Sequence, residues 1–152
     1  MVDIEKLKKF KIFKDLNQRE LELIANIAEY EAYEAGKRIF EEKALATTLY
    51  LTLEGKIEIK IRGDGTEQIV IDQVEPGEIF GWSAVTEPYT FTAAAWTLEK
   101  TKFITFSGER LKDLFDKNNH IGYRVVKEIA VVISRRLKAM ESKFVVTLRM
   151  KK

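Results

Sequence analysis

Few side chains in this sequence are equipped for covalent or metal chemistry. Cysteine is absent, which removes disulfides, thiolate metal sites and cysteine nucleophiles. His120 is the single histidine, and no second histidine, cysteine or methionine stands at ligand spacing to it. A barrel metalloenzyme needs several histidines and a carboxylate at one metal, so that class is set aside. No Ser-His-Asp set or buried carboxylate pair can be argued, and the chain is not read as an enzyme. His120 falls at a predicted helix start and reads as a surface or capping residue. What stands out instead is Gly77-Glu78-Ile79-Phe80-Gly81-Trp82-Ser83-Ala84, then Pro88, then Phe91-Thr92-Ala93. Glycines at this density mark tight turns or close backbone approaches.

The chain must fold to position that segment, and its composition allows it. Its 152 residues suit one domain, or one domain plus a long helix. Hydrophobic residues make up 45% and charged residues 33%, enough for both a core and solubility. The formal net charge of +2 gives no bulk electrostatic case for nucleic acid. The basic tail Lys143, Arg149, Lys151 and Lys152 reads as solvated and too short for that role. No apolar run reaches ~18 residues, so no membrane span is expected. Met1 to Lys14 lacks the apolar centre of a signal peptide. A soluble cytoplasmic protein is the expectation.

The start and end read helical and the middle reads as strands. Ile4, Leu7, Phe10 and Phe13 recur at helical spacing. Asn17-Gln18-Arg19-Glu20 predicts a capping box, and Leu21, Leu23, Ile24 and Ile27 an apolar helix face behind it. From Glu29 to Phe106 the period changes. Strands are predicted at Arg38–Glu41, Thr48–Leu53, Lys56–Ile61, Gln68–Val74, Thr92–Thr97 and Lys102–Ser107. Turn signals separate them at Ala35-Gly36, Glu54-Gly55, Gly63-Asp64-Gly65 and Pro76-Gly77. Short, evenly spaced strands predict an antiparallel sandwich or barrel.

Ser107 predicts a cap for a helix through Phe115, and Asn118-Asn119 a cap for a second helix from about His120 to about Met150. At ~1.5 Å per residue, ~30 residues give roughly 45 Å of helix. Along it Val126, Ala130, Ile133, Leu137, Met140, Phe144 and Thr147 form a heptad seam. Val125, Ile129 and Val132 form a second stripe that suits packing on the barrel. Two apolar faces predict one packed in cis and one on a partner, a homodimer. The competing reading is one wide amphipathic face in a monomer.

This order of elements resembles the sensor half of the cyclic AMP receptor protein superfamily, over roughly Leu7 to Phe144. Three motifs carry the resemblance: Gly36-Lys37-Arg38-Ile39-Phe40-Glu41, then Leu49-Tyr50 with Leu53-Glu54-Gly55-Lys56-Ile57, then Gly77-Glu78-Ile79-Phe80-Gly81. The resemblance implies an α+β fold: an antiparallel β-barrel or jelly roll with short N-terminal helices and a long C-terminal helix. Residues 1–118 would form the barrel sensor with its flanking helices, and 119–152 the dimerisation helix of the same unit. It implies a phosphate-binding cassette at Phe80, Gly81, Trp82, Ser83 and Ala84. There a short helix offers the N–H groups of Ser83, Ala84 and Val85 to an anion. The family's phosphate-binding Arg falls at Phe91, its hydroxyl partner at Thr92, and its sugar-binding Glu at Trp82. On the long helix, Arg136 matches an Arg that reaches toward the base, and Met140 and Glu141 fall where the family has hydroxyl residues.

Trp82 and Phe91 leave three outcomes open: they fill the old pocket, they wall a site for a non-nucleotide ligand, or they meet a cyclic nucleotide through unusual contacts. Arg136 is either a pocket residue or a surface residue paired with Glu128 or Glu141. The expected function is a ligand-sensing regulatory module, dimeric, with degenerate nucleotide contacts. No cofactor is certain; the expected ligand is a cyclic nucleotide or another small anionic or aromatic compound. The chain stops near Lys152 with no helix-turn-helix in view, so DNA is not an expected partner; with no long apolar run, neither is a membrane. The alternative is a scaffold that binds no ligand and pairs with an unknown protein through its last helix.

Overall fold

Strand β3 (Thr48–Glu54) is buried without a break from Leu49 to Thr52 in the computed structural model, which describes residues 1–151. Both faces of β3 are therefore covered. Leu49 and Leu51 point to a helical layer, while Tyr50 points into the space between two sheets. Its neighbour β8 (Thr101–Ser107) does the same, with Ile104 and Phe106 on the helical side and Phe103 inside.

Two antiparallel four-stranded sheets enclose the inner core. With β1 (Ala28–Tyr33), β2 (Arg38–Phe40), β4 (Ile57–Arg62), β5 (Gln68–Val74), β6 (Ile79–Phe80) and β7 (Ala94–Thr97), their orders are β1-β8-β3-β6 and β2-β7-β4-β5. The fold is α+β, a jelly-roll-like barrel with a long C-terminal helix, as the sequence predicts. Two strands escape sequence reading. Strand β1 is rich in Glu and Ala and forms through its six-residue pairing with β8. Strand β6 has only two residues and pairs with β3 at Tyr50 and Leu51.

The helical layer packs on the outer face of the β1-β8-β3-β6 sheet. The N-terminal helix splits into α1 (Ile4–Leu7) and a 3₁₀ turn at Lys11–Phe13. A spacing of three residues suits that tighter winding, and Leu7, Phe10 and Phe13 are all buried. Helix α2 (Gln18–Asn26) opens on the predicted capping box, with Asn17 accepting from the Glu20 N–H and Glu20 from the Asn17 N–H. Ser107 caps α3 (Gly108–Lys117) as expected. Asn118 does not cap α4 (Asn119–Met150) with its side chain. Its amide donates to the Leu114 carbonyl at 3.2 Å and closes α3 instead. Gly122 then lets α4 lie tightly on Phe115, where a Cβ would come within 2.9 Å.

Helix α4 is long, 32 residues, and only its first half is covered. Val125 and Ile129 are buried and Val132 half-buried on the helical layer, as the second stripe predicts. No helix among the described residues is long and apolar enough to cross a membrane.

His120 at the start of α4 meets the Glu20 carboxylate. Its Nδ1 lies 2.5 Å from Glu20 Oε2. Burial pushes the Glu20 pKa up, but the Asn17 N–H, His120 and Arg124 together hold it below the usual carboxylate value. A lowered folded pKa means the ionised form favours the fold. That contribution is complete above the ordinary value near 4.5 and is lost as pH falls through the lowered one. Urea denaturation between pH 3 and 7 is expected to show an acid limb that flattens in Glu20→Gln; an unchanged limb removes Glu20 from the acid response.

Candidate functional site

Gly81 is the pivot of the cassette. Its φ of 80° carries the chain out of β6 and into a 3₁₀ turn at Trp82–Val85. A Cβ there would strike the Thr48 carbonyl and the Tyr50 ring, both at 2.9 Å. Glycine is therefore required by conformation and by space. The turn is one short coil, and its N–H groups are not all free. The Ala84 N–H already donates to the Gly81 carbonyl at 3.2 Å. Ala84 itself is buried behind the turn, in a cluster with Ala46 and Phe91. The expected use of the Ala84 N–H for an anion is therefore corrected: its bond within the turn takes it.

Phe91 returns to the cassette on a different loop. Its backbone is clamped by Ala44 and Lys43, with the Phe91 N–H donating to the Ala44 carbonyl at 2.9 Å and the Lys43 N–H to the Phe91 carbonyl at 2.8 Å. The ring is 6% exposed and stacks on Phe40, centroids 3.6 Å apart and planes 9° apart. Phe40 continues to Tyr50 and Phe80, and these two stack at 4.8 Å. The aromatic column thus runs from the cassette into the inner core.

Arg136 crosses from α4 to the opposite wall. Its Nε donates to Asp72 Oδ2 at 2.9 Å and its Nη2 to the Ile79 carbonyl at 2.8 Å. The guanidinium lies 4.6 Å from the centroid of the Trp82 ring, a cation–π contact. Burial pushes its pKa down, while Asp72 and Glu78 act to raise it. It remains charged, as an arginine does in a protein. The alternative reading of Arg136 as a surface residue paired with Glu128 or Glu141 is overturned: Glu128 bonds Lys14, and Arg136 faces inward. The heptad spacing could not show this, because Asp72 lies on a strand far away in sequence.

These groups divide the region into two spaces. Next to the cassette, Phe40, Phe80, Gly81, Trp82, Ser83, Phe91 and Thr92 leave about 50 Å³. Beyond Trp82 and Arg136 opens a hollow of about 270 Å³ between β4, β5 and α4. Its walls are mainly Ile59, Ile61, Ile71, Trp82, Ala139 and Met140. Of the residues singled out from sequence, the structure gathers Phe80, Gly81, Trp82, Ser83, Phe91, Thr92 and Arg136 at the small space, and Trp82, Thr92, Arg136 and Met140 at the hollow. Asp72, Lys143 and Ala139 were missed. The only sequence trace of the hollow is that Ile57, Ile59 and Ile61 alternate on β4, yet Ile59 and Ile61 stay half-buried.

A family model described as cyclic nucleotide-binding domain matches residues 30–118. Over 127 residues the chain is 24% identical to the cyclic AMP receptor protein of Thermus thermophilus, covering 84% of this chain and 57% of that one. The chain thus spans little more than half the length of this curated relative. A solved structure from Geobacter metallireducens, described as of a cyclic nucleotide-binding protein, has TM-score 0.80 and 29% identity, and covers 90% of this chain and 99% of that one. A cyclic nucleotide-binding domain from Methylobacillus flagellatus has TM-score 0.82 at 18% identity, over 95% of this chain and 81% of that one.

The Arg136–Asp72 bond lies between a solvent pair and a buried pair, since Asp72 is 34% exposed and Arg136 17%. Arg136→Met is expected to lower stability by about 1–3 kcal/mol in urea titration. A double-mutant cycle with Asp72→Asn should return a coupling of about 1 kcal/mol, and simple additivity would refute the clamp.

Proposed function

Because the chain belongs to the cyclic nucleotide-binding domain family, within the cyclic AMP receptor protein superfamily, we propose that it is a ligand-sensing regulatory module with degenerate nucleotide contacts, paired through α4. The observation that carries this reading is the Phe91–Phe40 stack beside Trp82. By the family pattern, Phe91 stands at the place of a phosphate-binding Arg and Trp82 at that of a sugar-binding Glu. A desolvated phosphate that loses its Arg gives up ~2–5 kcal/mol. That is roughly 30- to 5000-fold in affinity. Phe91 also takes up space, which a simple loss of charge would not do.

The coupling follows from the two ends of the hollow. A ligand there touches β4 and β5 on one side and α4 on the other, so it favours one packing of α4 over another by its differential affinity for the two. Dimerisation is supported by the uncovered seam on α4: Val126 is 48% exposed, Leu137 57%, Met140 43% and Phe144 64%. The role is binding rather than catalysis, and the Thermus relative's name supports a regulatory setting. The competing reading, a ligand-free scaffold, is favoured by the filled cassette but not by the open hollow.

Isothermal titration with cyclic AMP and cyclic GMP up to millimolar concentration is expected to give no heat. The double variant Trp82→Glu with Phe91→Arg is expected to gain measurable binding. Micromolar binding by the unchanged chain sinks the degenerate-contact reading. In sedimentation, the full chain is expected to be a dimer and the Leu137→Glu, Phe144→Glu variant a monomer. A monomeric unchanged chain ends the dimer proposal.

A further inference from the structure

Resting on the sensor reading above, we propose that the hollow under α4 binds a compact, mostly apolar monoanion, with Lys143 as its counter-charge. Three charged side chains face this space: Asp72, Arg136 and Lys143. Asp72 and Arg136 neutralise each other at 2.9 Å. Arg136 is further committed to the Ile79 carbonyl and to the face of Trp82. Lys143 makes no ion pair among the described residues; its ammonium meets only the Ile71 carbonyl, at 3.3 Å. One positive charge is therefore left over. It sits on α4 about two turns beyond Arg136.

The rest of the wall sets the ligand's body. Ile59, Ile61, Ile71, Ala93, Ala139 and Met140 are apolar, and the only uncharged side-chain donors on this wall are the Trp82 indole and the Thr92 hydroxyl. Burying apolar area there is favourable, and burying an unpaired polar group is costly. A cavity of about 150 Å³ holds a benzene, so about 270 Å³ suits a ligand of one or two rings. Phe91 and Phe40 close the cassette end to about 50 Å³, which bars a headgroup on that side. A cation would meet the excess positive charge, and a polyanion would find one free partner for several charges.

The test uses the full chain, with naphthalene-2-carboxylate, naphthalene-2-carboxamide and 2-naphthylmethylamine as probes. Calorimetry gives the affinity, and methyl NMR shifts at Ile59, Ile61, Ile71 and Met140 give the location. The carboxylate is expected to bind roughly three- to fivefold tighter than the amide, the range of a solvent-reachable ion pair, and the amine more weakly than both. Lys143→Met is expected to erase the carboxylate's advantage and leave the amide unchanged. Ala139→Phe, at an exposed helix position, is expected to fill the hollow and weaken both at least tenfold. Equal affinity for carboxylate and amide overturns the proposal, as does binding that Ala139→Phe leaves intact. If cyclic AMP or cyclic GMP binds and no naphthalene does, the ligand class is overturned and the sensor reading stands. If none of the five compounds binds, both fall and the scaffold reading replaces them.

Discussion

The stack of Phe91 on Phe40 is the contact on which the rest of the site depends. It closes the space beside the cassette and ties a surface loop to the inner core through Phe80 and Tyr50. Each such aromatic pair contributes roughly 0.5–1.5 kcal/mol beyond the area it buries. An arginine at Phe91 would face an aromatic wall with no carboxylate in view, so the two aromatic changes in this segment belong together. With Phe91 packed inward, the cassette turn keeps its backbone shape while the anion's place beside it is reduced to a remnant.

Arg136 performs the complementary task from the other side. One side chain ties α4 to β5, to the end of β6 and to the cassette turn at Trp82. It also marks a change in the character of the helix. Before it, Val125, Ile129 and Val132 lie against the helical layer; after it, α4 runs on with every described residue exposed. The hollow exists because the helix is held at Arg136 while small Ala139 follows, leaving room above Ile59 and Ile61. Beyond the apolar packing of Val125 and Ile129, α4 reaches the barrel by side-chain hydrogen bonds from Arg136 and Lys143.

Much of the fold was legible because the local rules agree with one another. The capping box at Asn17 and Glu20, the Ser107 cap and the Gln68–Val74 strand all appear where spacing and residue type put them. Strand β1 was not legible, because its Glu and Ala residues carry little strand preference and only pairing with β8 makes it a strand. Asn118 shows the same limit at shorter range. Its type suits a cap for α4, but its backbone N–H and its side-chain amide both donate to the Leu114 carbonyl, so the residue closes α3 instead. At the site, Phe91 and Trp82 were visible as departures from a motif, whereas Asp72 and Lys143 were not, because nothing local singles out either residue.

The sequence by itself determined the order of helices and strands other than β1 and β6, the turns that need glycine, and the aromatic, under-charged nature of the cassette. These follow from periodicity, caps and residue identity, which act over a few residues along the chain. The tertiary structure alone decided that Phe91 turns inward onto Phe40, that Arg136 meets Asp72 across 63 intervening residues, and that a hollow survives beneath α4. Those outcomes depend on how two sheets and a helix meet in space. Steric fit and charge pairing between distant segments are fixed only once the chain has closed on itself.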